Sequence, residues 1–100
     1  MEILFEYHDV ASSDALESHA KEKLDNLFKR YDFVIRADVF FKTDNTTSDD
    51  TGKKCGIRLS APGPRLFAES SKDSFYNATS ETVNELLKQL EKRKDKLKTY

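Results

Sequence analysis

The stretch Phe33-Val34-Ile35-Arg36-Ala37-Asp38-Val39-Phe40-Phe41-Lys42-Thr43 decides the fold. Phe33, Ile35, Ala37, Val39 and Phe41 fall on one side, while Val34, Arg36, Asp38, Phe40 and Lys42 fall on the other. A period of two with one apolar side predicts a strand buried on one face. Upstream the period lengthens. Leu16, Ala20, Leu24, Leu27, Phe28 and Tyr31 recur at three and four residues, which predicts an amphipathic helix from about Asp14 to Tyr31. Ser12-Ser13-Asp14 supplies side-chain oxygens for free first-turn N–H groups, and Asp14 and Glu17 suit the positive end of that helix. Before it, Glu2 to His8 alternates again, with Ile3, Phe5 and Tyr7 together. A strand, a helix and a second strand joined this closely form a right-handed crossover between parallel neighbours, with the helix on one face of the sheet.

Downstream, Asp44 to Gly52 is polar, acidic and short-chained and reads as an exposed, flexible loop. A third strand follows, with Cys55, Ile57, Leu59 and Ala61 alternating against Lys54, Gly56, Arg58 and Ser60. Pro62-Gly63-Pro64 is turn chemistry. Arg65 to Ser70 makes a short fourth strand, with Leu66 and Ala68 opposite Phe67 and Glu69. Ser71 or Asp73 is positioned to cap a last helix reaching about Leu97. Its stripe is Phe75, Thr79, Val83, Leu86, Leu87, Leu90 and Leu97, flanked by Tyr76. The expected fold is α/β (α+β): a β-α-β-β-β-α two-layer sandwich with a four-stranded mixed sheet and both helices on one face. Residues 1–100 read as a single domain, with no internal repeat or linker.

Charge is distributed unevenly. Residues 1–51 carry 12 Asp/Glu against 6 Lys/Arg (net −6), and residues 52–100 carry 11 Lys/Arg against 6 Asp/Glu (net +5), so the formal charge of −1 conceals a basic half. A single cysteine excludes a disulfide framework and a cysteine-rich zinc site, and one thiol suits a reducing cytosol. The first residues lack a basic region followed by a long apolar run, so no signal peptide is expected. No stretch approaches the roughly 18–20 apolar residues of a membrane span.

Catalytic and metal chemistry find no foothold in the sequence. His8 and His19 stand in no metal-ligand spacing, and Cys55 falls on the apolar side of its strand, as a small core residue does. The three glycines are not grouped into a phosphate loop, and Asp49-Asp50 lacks the spacing of a calcium loop. No enzyme, metal or cofactor is expected.

The informative run is Lys88-Gln89-Leu90-Glu91-Lys92-Arg93-Lys94-Asp95-Lys96-Leu97-Lys98, with six basic and two acidic residues. On a helix Lys88, Lys92 and Lys96 form one row opposite the apolar stripe, with Arg93 on an adjoining flank. Basic residues at a helix C-terminus also offset its dipole, which is the bland explanation. The row extends beyond the last turn, however, and Lys23 and Arg30 on the first helix are placed to face the same groove between helices. Lys54 and Arg58 alternate off the core. Such a groove neutralises phosphates with strongly salt-dependent binding, and suits the shape of folded RNA better than base reading. No aromatic motif for stacking single strands is present.

Asp73-Ser74-Phe75-Tyr76-Asn77-Ala78, followed by Leu86 to Lys98, resembles the closing "D-M-Y-x-A-I-D…L-x-R-Q-L-x-K-x-K-x-K" pattern of the ribosome hibernation promoting factor and ribosome-associated inhibitor A group, the sigma-54 modulation protein family. Ser13-x-x-Leu16 with Lys23-Leu24-x-x-Leu27 is similar to that family's first helix. The resemblance spans nearly the whole chain and implies the same β-α-β-β-β-α order. It also implies binding to small-subunit rRNA in the channel for mRNA and tRNA, blocking translation in stationary phase or stress, in the cytoplasm, with neither membrane nor DNA as partner. Lys23, Lys88, Lys92 and Lys96 match its basic positions, and Arg93 and Lys94 lie within the motif. Thr79 and Ser80 depart from the family's Ile-Asp, which removes apolar surface from the last helix. The length suits a short form, without the dimerising domain of long members. The family's older label keeps a second reading open, a protein-interaction module acting on a transcription regulator.

Overall fold

The computed structural model describes residues 2–43 and 52–98, with side chains as far as residue 95. It contains β1 (Glu2–His8), α1 (Asp14–Arg30), β2 (Arg36–Thr43), β3 (Lys53–Ser60), β4 (Leu66–Lys72) and α2 (Phe75–Lys98). The expected acidic loop lies outside the described residues except for Gly52, as does the side chain of Leu97.

The four strands form one sheet in the order β1-β2-β3-β4, with β1 parallel to β2 and the two later pairs antiparallel. Register turns the period-two pattern into continuous rows. Phe5, Val39, Ile57 and Ala68 lie side by side across the sheet, and Ile3, Ala37, Leu59 and Leu66 make the next row. These residues pack with Leu16, Leu24, Leu27 and Phe28 of α1 and Ala78, Val83, Leu86 and Leu90 of α2 in one core. The expected two-layer sandwich is the fold observed, with both helices on one sheet face.

Its local signals act as their chemistry requires. Ser13 has extended backbone and its Oγ accepts from the Leu16 N–H, so the predicted cap starts α1. The left-handed φ of 57° at Asp9 ends β1, in a conformation that aspartate tolerates better than most residues.

Four local expectations are corrected. Strand β2 begins at Arg36, because Tyr31 to Ile35 pack as a turn: Val34 N–H donates to Tyr31 O, Val34 is buried and Ile35 is 65% exposed, the reverse of the strict alternation. Helix α2 is capped by Ser74, whose Oγ accepts from the Asn77 N–H, while Asp73 accepts from the Asn77 side chain. Strand β4 continues to Lys72, paired with Lys53. The buried face of α2 is wider than its aliphatic stripe and includes Ala78 and Thr82.

Thr79 and Thr82 are both fully buried, yet neither hydroxyl is left without a partner. Thr79 donates to Phe75 O at 2.7 Å, and Thr82 Oγ1 lies 2.7 Å from Ala78 O and 3.1 Å from Cys55 O. A buried hydroxyl is tolerated when so bonded, and Thr82 thereby ties α2 to β3.

Candidate nucleic-acid interface

Strands β1 and β4 run in the same direction, and each helix returns antiparallel to the strand before it. Helices α1 and α2 are therefore parallel to one another. Contacts confirm the alignment: near their starts His19 of α1 meets Tyr76 (ring centroids 5.1 Å) and Ser80 (3.5 Å), and at the end of α1 Tyr31 meets Glu91. Both C-termini thus point to the same end of the molecule. Helix α2, with 24 residues against 17, runs on by seven residues beyond its contact with Tyr31, roughly 10 Å of helix.

At that end Arg30, Tyr31, Leu87, Lys88, Glu91 and Lys92 line an open groove of about 470 Å³. Its floor is Tyr31, buried to 2% exposure, whose hydroxyl donates to Glu91 Oε2 at 2.6 Å. That bond, with burial and the negative charge of Glu91, holds the Tyr31 hydroxyl above its usual pKa, so it remains a donor. The Arg30 guanidinium lies 5.4 Å from the Tyr31 ring centroid and the Lys94 ammonium 5.9 Å from it, both within range of the ring's negative face. Tyr31 thereby gathers two cations and one carboxylate around a single fixed point.

Lys88 and Lys92 are exposed on the outer side of α2. Lys88 pairs with Glu85 at 3.3 Å, and such a surface pair is worth at most about 1 kcal/mol and yields readily to another anion. The groove therefore presents Arg30, Lys88, Lys92 and Lys94 around one internal acid, Glu91. Chemically, such a set of cations can neutralise negatively charged groups brought against it.

The other expected residues fall elsewhere. Lys23 is half-buried on α1 one turn beyond His19 and is not among the residues lining the groove. Arg93 points to the opposite flank of α2, where it donates to Pro62 O (2.7 Å) and Pro64 O (2.8 Å). Between those carbonyls Gly63 takes a φ of 95°, which favours glycine, and a Cβ there would stand 3.1 Å from Arg93 Nη1. The placement of Arg93 is that of a strut holding the β3–β4 turn to α2, helped by Gln89 Nε2, which donates to Phe67 O at 3.0 Å. The Lys96 side chain lies outside the described residues, although the helix backbone continues through it. Lys54 and Arg58 project from the sheet face opposite the helices, away from the groove.

Sequence reasoning missed Tyr31 and Glu91 as parts of the site. Tyr31 read only as the end of an apolar stripe, and the contact between residues 60 apart leaves no spacing to detect. Among the described residues no group of three or more His, Cys, Asp or Glu is placed to hold a metal ion, and no helix is long and apolar enough to cross a membrane. Cys55 is fully buried, and burial pushes its thiol up to about 11.

Known proteins resemble this chain in sequence and in fold. A ribosome hibernation promoting factor of Acinetobacter guillouiae is 25% identical over 99 residues, covering 94% of this chain and 88% of the relative. A ribosomal subunit interface protein from Coxiella burnetii has the same fold at a TM-score of 0.82 and 22% identity, covering 95% of this chain and 99% of that one. The N-terminal domain of Thermus thermophilus Protein Y superposes at 0.72 with 19% identity, covering 91% and 93%. Residues 3–98 match one family over almost their whole length, and the chain belongs to it: the sigma 54 modulation protein / S30EA ribosomal protein family.

Proposed function

We propose that this protein is a ribosome hibernation factor that binds the small ribosomal subunit through rRNA, occupies the channel used by mRNA and tRNA, and blocks translation in the cytoplasm during stationary phase or stress. The observation that carries the reading is the convergence of Arg30, Lys88, Lys92 and Lys94 around Tyr31, where α1 ends against α2. A groove of fixed cations recognises the phosphate ridges of folded RNA by shape and charge. The protein acts by occupying space, so it needs no catalytic group. Family membership and the hibernation factor among its relatives support the ribosome as the partner. Lys23 and Lys96 are further contacts in this reading; Arg93 contributes by holding the end of the sheet to α2.

Sucrose-gradient profiles of stationary-phase cells with and without the protein test this directly. The protein is expected to travel with small subunits or intact ribosomes at low salt and to leave them at high salt. Free protein at the top of the gradient under all conditions would refute the reading. The family description also favours a second reading, modulation of a transcription regulator by protein contact. A regulator retained in a pull-down after nuclease treatment, with no ribosome association, would establish that instead.

A further inference from the structure

The sheet face turned away from the helices carries an aromatic and cationic platform that no sequence motif reveals. Phe40 of β2 and Phe67 of β4 are separated by strand β3, yet their rings are nearly parallel (14°) with centroids 6.2 Å apart. Gly56 permits this approach: a Cβ there would overlap the Phe40 ring, so the missing side chain lets that ring lie across β3. His8 meets Phe40 edge-on at 6.1 Å, and Leu4 lies in the row beside it. Phe67 is 41% exposed and Leu4 44%, so large apolar side chains at both edges of this face are left in water.

Cations surround the rings. Two hollows of about 210 and 290 Å³ flank Phe40, and Arg58 lines both; Arg36 and Arg65 border one and Lys42 the other. The side chains of Arg58, Arg65 and Lys42 make no hydrogen bond or ion pair among the described residues. The acids on this face are Glu2, Glu6, Asp38 and Glu69: Asp38 Oδ2 accepts from Arg36 at 3.2 Å, Glu2 lies 4.0 Å from the same Arg36, and Glu6, which lines both hollows, lies 3.4 Å from His8. Aromatic faces with guanidinium groups beside them are what unpaired nucleobases and their phosphates require. A purely apolar protein partner would leave those cations buried without counter-charges.

We propose that this sheet face is a second RNA-contact surface, which stacks unpaired bases of single-stranded RNA on Phe67 and Phe40 while Arg58, Arg65 and Lys42 neutralise the adjoining phosphates. It lies on the other layer from the helix groove and does not depend on the reading of that groove. A bound protein thereby grips a folded RNA on its helical side and a flexible strand on its sheet side.

Fluorescence anisotropy with a labelled RNA of about eight unpaired nucleotides tests the proposal, since single-strand sites of this kind span roughly 4–16 nucleotides. The full chain carrying Lys88→Glu and Lys92→Glu is used, so that the helix groove does not contribute. Phe67→Ala is expected to weaken binding at least about tenfold, Phe67→Leu to weaken it similarly, and Phe67→Trp to retain it. Arg58→Gln should lower the slope of log affinity against log salt by about 0.7. Absence of binding in the charge-reversed background overturns the proposal. So does full affinity with Phe67→Leu, which would mean apolar docking without stacking, or self-association abolished by Phe67→Ala with no RNA bound. The groove is scored separately, by co-sedimentation of Lys88→Glu/Lys92→Glu with subunits, so the two readings fail independently.

Discussion

Reversing Lys88 and Lys92 to glutamate is the sharpest test of the helix groove, because the structure predicts what changes and what does not. Four described cations border the groove, so an RNA seated there is expected to show a log–log salt slope of about −3 to −4, at −0.7 to −0.9 for each neutralised phosphate. Removing two contacts reduces the slope by about 1.4–1.8. At 0.1 M salt, relative to 1 M, that corresponds to roughly a 25- to 60-fold loss of affinity before the added repulsion of two new carboxylates is counted. Folding should hardly respond. Both lysines are exposed, and the pairing given up by Lys88 is a surface contact with Glu85. New like-charge neighbours on the helix cost a few tenths of a kcal/mol each. The assay is a titration of small subunits across a salt series, read by co-sedimentation, with a thermal melt for each variant. Arg93→Gln is the internal control: it removes the bonds to Pro62 and Pro64, so it should lower the melting temperature and leave the salt slope unchanged. An unchanged slope in the double reversal, or an equal fall in slope with Arg93→Gln, would refute the assignment of cations to groove and strut.

Tyr31→Phe removes the hydroxyl that donates to Glu91 and should cost about 1 kcal/mol in urea denaturation, with Glu91→Gln giving a smaller loss and the pair falling short of additivity. Gly56→Ala forces the Phe40 ring off β3 and should destabilise the fold by about 1 kcal/mol, with Phe40→Leu in the same chain recovering most of the loss; strictly additive effects would contradict the packing. Alkali should weaken the fold in a defined window. Cys55, raised by burial to about 11, and Tyr7 and Tyr31, raised above 10, keep protons that the unfolded chain gives up, so their contribution is complete below about pH 9 and declines as pH rises through 11. Cys55 alone accounts for up to about 3 kcal/mol. Urea midpoints at pH 8, 10 and 11 should fall in that order, and Cys55→Ala should flatten the decline.

The fold was legible because the period of the apolar residues changes where the structure changes. Ile3, Phe5 and Tyr7, then Leu16 to Phe28, then Ala37, Val39 and Phe41 announce β1, α1 and β2 without help from tertiary contacts. Legibility fails where a tertiary contact overrides the period. Val34 turns inward because the chain between α1 and β2 bends there, and Ile35 is turned out by the same bend. Thr82 in the α2 core is hidden for a related reason, since its burial is matched by the Cys55 carbonyl on β3, which a helical wheel does not display. At the candidate site the charge pattern of α2 was visible, and helical geometry placed Lys88 and Lys92 on its outer side. It did not separate Arg93 from them, because the partner of Arg93 is a turn some thirty residues earlier. The pairing of Phe40 with Phe67 was hidden more deeply: it needs the order β2-β3-β4 and a glycine on the strand between.

Helix dipoles are the rival explanation for basic residues at this end of the molecule, and their capacity can be compared with the charge present. Two parallel helices bring together about half a negative charge each, so roughly one charge in total. Lys29 and Arg30 already sit in the last turn of α1. Counting Lys29, Arg30, Lys88, Lys92 and Lys94 against Asp32, Glu85, Glu91 and Asp95 leaves a surplus of one positive charge, with Arg93 set aside on the other flank. The dipoles can absorb about that much, so the sum alone does not decide between the two explanations and position must. Lys88 is also ten residues from the end of α2, roughly 15 Å, whereas the dipole effect fades within a turn. Lys88 and Lys92 thus lie outside the last turn of α2 and are not needed to offset its dipole. In the proposed reading those two exposed lysines are the ones left to meet a polyanion.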